Sequence, residues 1–192
     1  AQLQVRVGER HPLAIQLQRR IGTLLREQGK PDEAAKAIDA ALNLSVELLG
    51  DRHPTTLALH RQRAAVYMEQ GWLDVAERDL RDTTPLLIER VGEEHVDVGA
   101  SFYTLGMLAW EQDRLDEAER ELAQAITIWR STSARTRMVR AMADHAEVLQ
   151  ALGRTEAAET EIEQAHQLAV AQLGLRHPIT ADVEHIQGRM LA

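Results

Sequence analysis

Residues 11–50 read HPLAIQLQRRIGTLLREQGKPDEAAKAIDAALNLSVELLG, and the phrase starts again at His53 and once more at His95. Gly8, Gly50 and Gly92 keep the same spacing, as do Ala34, Ala76 and Ala118. Self-similarity at a fixed period of about 42 residues means a solenoid, in which each unit stacks only on its neighbours. The quoted stretch holds two helical patterns in series. Pro12 suits a first helical turn, where a missing N–H has no partner in any case. Gln28-Gly29 closes that helix, because glycine takes the left-handed conformation a helix end needs. Pro31-Asp32-Glu33 opens the second, with acids at the positive end of the helix dipole. Ala34, Ile38, Ala41, Leu42 and Val46 then recur at helical spacing up to Gly50.

Working outward, the chain divides into a helix end at residues 1–8, four units at 9–50, 51–92, 93–132 and 133–174, and a first helix of a fifth unit at 175–192. All belong to one repeat domain. In the second unit Pro54 opens the first helix, Gln70-Gly71 breaks it and Leu73-Asp74 starts the next. In the third, Asp113 replaces the linker glycine. The fourth is offset by a two-residue deletion, and Ser131-Thr132-Ser133 stands where the His-Pro phrase would be. That phrase returns as His177-Pro178. Pro85 lies inside the second helix of unit two, where it removes one backbone hydrogen bond, so a kink or break is expected at Thr83-Thr84-Pro85.

The 192 residues are 44% hydrophobic and only 3% aromatic, so the core must be built from Leu, Ile, Val and Ala. The net charge of −8 argues against a nucleic-acid or anionic-membrane partner, each of which calls for a basic surface. With no cysteine there is no disulfide, thiolate metal site or cysteine nucleophile. No apolar run approaches the ~18 residues that span a bilayer. A cytoplasmic setting is the matching expectation. Twenty of the 22 basic residues are arginine, a bias that points to a GC-rich bacterial genome. The chain starts at Ala1 in mid-pattern and reads as a piece of a longer protein.

Phe102-x2-Leu105-Gly106-x2-Ala109 followed by Ala118-x3-Leu122 resembles the tetratricopeptide signature W-x2-L-G-x2-Y…A-x3-F. Ile21-Gly22-x2-Leu25 with Ala34-x3-Ile38, Ala64-x2-Tyr67 with Ala76-x3-Leu80, and Ala146-x2-Leu149 with Ala158-x3-Ile162 are its other copies. Gly188 takes the same place in the partial fifth. The longer unit, with L/V-G-x2-H-P between copies, is similar to the kinesin light chain subclass. The resemblance implies an all-α, right-handed α-solenoid, a superhelix of tetratricopeptide-type helix pairs. The small residues are expected to let paired helices cross closely, Gly22 against Ala34 and so on. Val46, Ile88, Arg130 and Val170 stand where the usual 34-residue repeat has its closing proline, so the second helices should run on. Arg63 and His145 occupy core-leucine positions and should weaken those two interfaces.

Catalysis finds no support. His11, His53, His95 and His177 recur once per unit, about 10 Å apart by helix packing, whereas zinc ligands must lie ~2 Å from one ion. They read as residues at helix starts, and no metal or other cofactor is expected. The carboxylates Glu117, Glu119, Glu121, Glu156, Glu159, Glu161 and Glu163 read as a solvated outer face. Neither a phosphate loop nor a nucleophile elbow is present. One stripe stands out. Tyr103, Met107 and Trp110 lie on one ridge of the third unit's first helix, opposite Phe102, Leu105, Gly106 and Ala109.

The family resemblance implies that this side of the first helices lines a concave groove that binds peptides. The matching positions are Arg19, Thr23 and Arg26 in unit one, and Arg61, Ala65 and Met68 in unit two. Unit four gives Ala143, Glu147 and Gln150, with Arg140 a turn earlier. The expected binding residues are therefore Arg19, Arg26, Arg61, Met68, Tyr103, Met107, Trp110, Arg140 and Glu147. In kinesin light chains an asparagine before the core leucine clamps a peptide backbone; here Arg20, Gln62, Thr104 and Asp144 fill those places.

The functional expectation is a non-catalytic module that binds a protein or peptide carrying an apolar anchor and acidic groups. The rival readings are a structural spacer or self-association element of a bacterial signalling protein, and a helical-repeat RNA reader. The RNA reader would need a base at the same place in every unit, which unit three lacks.

Overall fold

The structure, a computed structural model, describes residues 11–190; the helix end expected at 1–8 lies outside the described residues. Among the described residues there are nine helices and no strand. They are α1 (Pro12–Glu27), α2 (Pro31–Leu49), α3 (Pro54–Glu69), α4 (Leu73–Val91), α5 (Val96–Glu111), α6 (Leu115–Ser131), α7 (Arg135–Ala151), α8 (Thr155–Leu173) and α9 (Pro178–Met190). Two compact units divide between Gly92 and Glu93. In the first, α1 packs on α2, α2 on α3 and α3 on α4. In the second, each of α5 to α8 packs on the next, and α9 also reaches back to α7. Every pair is a first helix and a second helix joined by a short turn.

The starts of the first helices explain the recurring histidines. The Nδ1 atoms of His11, His53 and His95 accept the backbone N–H two residues on, at 3.1, 3.1 and 3.2 Å. His177 does the same at 3.3 Å. Each imidazole thus does the work of an N-cap side chain, satisfying one of the orphan N–H groups of a first turn. Thr56 and Thr180 tie the preceding loop, donating to the carbonyls of Gly50 and Gly174 at 2.8 and 2.9 Å. The linker glycines adopt positive φ, and Asp113, standing in for one, is held at φ 58°. As expected, the second helices continue past Val46, Ile88, Arg130 and Val170.

The core runs along the facing sides of the pairs. Ala34, Ala76 and Ala118 are fully buried, and so are Ala64 and Ala146 on the opposite helices. The small residues work differently from the expectation of small against small. A Cβ on Gly22 would lie 2.5 Å from Ile38 Cδ1, and one on Gly106 would lie 2.8 Å from Leu122 Cγ. Each glycine makes room for the large side chain one turn beyond the alanine. Ala34 meets Gly22 through its carbonyl oxygen, at 3.4 Å from the would-be Cβ. Burying a side chain such as Leu122 stabilises its pair by about 1.5–3 kcal/mol.

Of the kink or break expected at Thr83-Thr84-Pro85, the break does not occur. Helix α4 runs unbroken through Pro85. The proline itself is exposed, while Thr83, Thr84 and Leu87 beside it are buried, so packing holds a turn that lacks one backbone bond. Arg63 and His145, read as defects, each find an acid sixteen residues on. Arg63 Nη2 and Nε donate to Asp79 Oδ2 at 2.8 and 3.2 Å, and His60 Nδ1 lies 2.7 Å from Asp79 Oδ1. His145 Nδ1 lies 2.7 Å from Glu161 Oε2. A polar bridge therefore replaces the leucine contact in both pairs.

Candidate binding face

The first-helix face of the second unit is shaped by a size exchange behind it. A Cβ on Gly99 of α5 would fall 2.7 Å from Trp129 Nε1, so only glycine leaves room for that ring. The corresponding positions are Leu57 and Leu87 one repeat earlier, and Ile15 and Ser45 two repeats earlier. Trp129 is 2% exposed, and its indole N–H donates to the Val96 carbonyl at 3.0 Å. The Tyr103 ring tilts against Trp129 at 43°, with ring centres 5.7 Å apart. The phenol is thereby aimed across to α7, where it donates to Asp144 Oδ2 at 2.7 Å.

Tyr103, Met107 and Trp110 are half-buried rather than free-standing. They pack against a cluster of Ala109, Ala118, Leu122 and Val148, so the ridge leans on α7 through Val148. Sequence periodicity put the three side chains on one ridge opposite Ala109, whereas they pack against the cluster that includes it, and it did not show how far α7 would cover them.

Charged bridges run between first helices on the same face. Arg140 of α7 meets Asp182 of α9 at 3.4 Å, and Glu147 pairs with Arg189. Both pairs are separated by 42 positions, one repeat. Asp182 and Arg189 were missed from the sequence; opposite charges exactly one period apart were the signal that could have found them. All four side chains are at least a third exposed or nearly so, and such bridges contribute under about 1 kcal/mol each.

Asp144 differs from these. Burial pushes its carboxyl up, Tyr103 and Arg140 pull it back, and Glu147 and Asp182 push it up again; the carboxyl ends above the ordinary aspartate range.

In the first unit, considered by itself, Arg26 Nε lies 3.1 Å from Glu69 Oε1, bridging α1 and α3. Arg19 is half-buried on α1, and Arg61 and Met68 are half-buried on α3. Of the clamp-like positions, Arg20 is exposed, Gln62 is half-buried and Thr104 donates to the Ala100 carbonyl at 2.9 Å. Among the described residues no group of three or more His, Asp or Glu is placed to hold a metal ion. No helix among them is long and apolar enough to cross a membrane.

The tetratricopeptide repeat family model matches residues 13–89 and 55–131. No curated protein matches the chain in sequence. Among solved structures, a putative kinesin light chain of Podosopora anserina, with nearly identical TPR-like repeats, is similar at 21% identity and a TM-score of 0.75. That match covers 94% of this chain and 86% of the other. BtubC (BKLC) from P. vanneervenii is similar at 19% identity and a TM-score of 0.73, over 85% of this chain and 66% of that one. MamA protein is similar at 16% identity and a TM-score of 0.54, over 93% and 86%. These likenesses show a shared fold of consecutive helix pairs, the α-solenoid architecture. With its helix pairs, its small-residue register and these matches together, the chain belongs to the tetratricopeptide repeat family.

Proposed function

We propose that this chain is a non-catalytic protein- or peptide-binding module, and that its second unit takes the ligand on the face of α5, α7 and α9. Tyr103, Met107 and Trp110 form the apolar anchor of that face. The observation that carries this reading is the ridge itself: two aromatic rings and a methionine stay half-exposed instead of being fully covered by α7. Partly exposed Trp and Tyr framed by polar groups are the residues that dominate binding energies at interfaces. The face of α1 and α3 in the first unit is a separate contact area. There Arg19, Arg26 and Arg61 offer guanidinium groups to acidic groups of a ligand, with Met68 beside them.

The experiment is a selection of peptides from a random display library against the wild-type chain, followed by titration of the selected peptides. Trp110→Ala is expected to weaken them by about tenfold or more, with unchanged helicity by circular dichroism. Glu156→Ala, on an exposed position of α8, is expected to leave them unaffected. Equal affinity for wild type and Trp110→Ala would remove the reading.

A further inference from the structure

Three carboxylates of α7 and α9, Asp144, Glu147 and Asp182, lie on the second unit's first-helix face, and two of them are held in ion pairs. Glu147 is taken by Arg189 and Asp182 by Arg140. Asp144 accepts the Tyr103 hydroxyl at 2.7 Å, and the guanidinium that pulls on its charge, that of Arg140, is engaged with Asp182. An ionised carboxylate can accept about four hydrogen bonds, so the phenol leaves most of that capacity unused. Keeping such a group largely out of water with one neutral donor is costly unless something else completes it. The surroundings sharpen the point. Residues 93–192 hold 17 acidic and 9 basic residues, whereas residues 1–92 hold 13 of each. All of the chain's net negative charge therefore sits in the unit that carries Asp144, and that potential draws in cations.

We propose that Asp144 anchors an arginine or lysine of the ligand, so that the second unit takes a basic segment that also carries an apolar residue. The proposal rests on reading this face as the binding face. Tyr103 holds Oδ2, which leaves Oδ1 to receive a guanidinium or ammonium group. The apolar residue goes to Met107 and Trp110 on the same helix. Trp110 lies about 10 Å along the axis from Tyr103, at ~1.5 Å per residue. An extended peptide covers that distance in about three residues. The ligand thus carries its basic and apolar residues about three positions apart.

The test uses an end-blocked peptide, Ser-Leu-Ala-Ala-Arg-Ser, and twins with lysine, citrulline or glutamate in place of the arginine. Each is titrated into the full chain and followed by amide chemical shifts. The arginine and lysine peptides are expected to bind about tenfold more tightly than the citrulline peptide and to shift the amides around Asp144. The glutamate peptide is expected to bind most weakly. Asp144→Asn is expected to remove the tenfold preference, bringing the arginine, lysine and citrulline peptides to similar affinities. If the citrulline peptide binds in a Trp110-dependent way but charge makes no difference, or if Asp144→Asn keeps the preference, the cation anchor is wrong and the binding face stands. If no peptide shifts α5 or α7, or Trp110→Ala changes none of the affinities, both the anchor and the binding-face reading fall.

Discussion

Arg63 of α3 and Asp79 of α4 are joined by two hydrogen bonds at a place where the first repeat has Ile21 and Ala37. The side chains are 23% and 12% exposed, so this bridge is mostly shielded from water and is not a surface pair. Removing one partner of a shielded pair is costly, because the other loses compensation, here leaving Asp79 with His60 alone, whereas replacing both by apolar groups often is not. Arg63→Ala is expected to destabilise the first unit by about 2–4 kcal/mol in urea unfolding. The double variant Arg63→Ile with Asp79→Ala, which copies the first repeat, is expected to return to within about 1 kcal/mol of wild type. A double variant as unstable as the single would show that the bridge supplies more than a substitute for apolar packing.

Asp79 and Asp144 should answer to pH in opposite senses. Burial alone would push the Asp79 carboxyl up, but hydrogen bonds and charges from His60 and Arg63 outweigh it and hold the carboxyl below the ordinary aspartate range. A depressed folded-state value gives stability that is present above the unfolded value, near pH ~4, and is lost as pH falls through the folded one. Asp144 is raised, so its contribution is present at low pH and lost as pH rises through its folded-state value. Asp144→Asn, which keeps an acceptor for Tyr103, is therefore expected to raise the melting temperature at pH 7. That gain should close as pH falls below the ordinary aspartate value. Melting curves from pH 3 to 8 check it, and a gain that grows on acidification would contradict the assignment.

Gly99 and Trp129 form a matched pair. Gly99→Ala puts a methyl 2.7 Å from the indole nitrogen and 3.1 Å from Ile128 Cγ2, so it is expected to cost about 1–3 kcal/mol. Adding Trp129→Leu, the residue type that Leu87 supplies one repeat earlier, is expected to recover part of that loss. The measurement is a double-mutant cycle by chemical denaturation. Additive losses would mean that the two positions do not share one space.

Asp113 closes α5 in the left-handed conformation, at the place that Gly29, Gly71 and Gly153 take after the other first helices. Glycine reaches that conformation without the steric cost of a Cβ. Asp113→Gly is expected to stabilise the second unit by roughly 0.5–1 kcal/mol in thermal unfolding. A loss of stability would show that the aspartate side chain offsets its backbone strain through a local bond.

Periodicity made the helix pairs legible, because a 42-residue phrase bounded by His-Pro and Gly leaves few ways to fold. It also placed Tyr103, Met107 and Trp110 on one ridge. What it could not show depends on contacts between distant positions. Arg63 looked like a flaw until Asp79 was found opposite it. Gly99 is unremarkable until Trp129 is seen filling its space. Asp144 stood in the sequence only as a departure from an asparagine position, since neither the phenol from the preceding repeat nor the engagement of Arg140 with Asp182 is local information. The break expected at Pro85 does not occur, for a different reason. A lone proline removes a single backbone bond, and the buried residues around it hold the remaining turns in place.

The most direct test of the central claim, that ligands settle on the first helices of the second unit, is amide hydrogen exchange of the chain with and without a library-selected peptide. The account predicts slowed exchange concentrated in α5 and α7, strongest around Tyr103 and Asp144, with α6 and α8 unchanged. Protection confined to α6 and α8, with α5 and α7 exchanging as in the free chain, would contradict it.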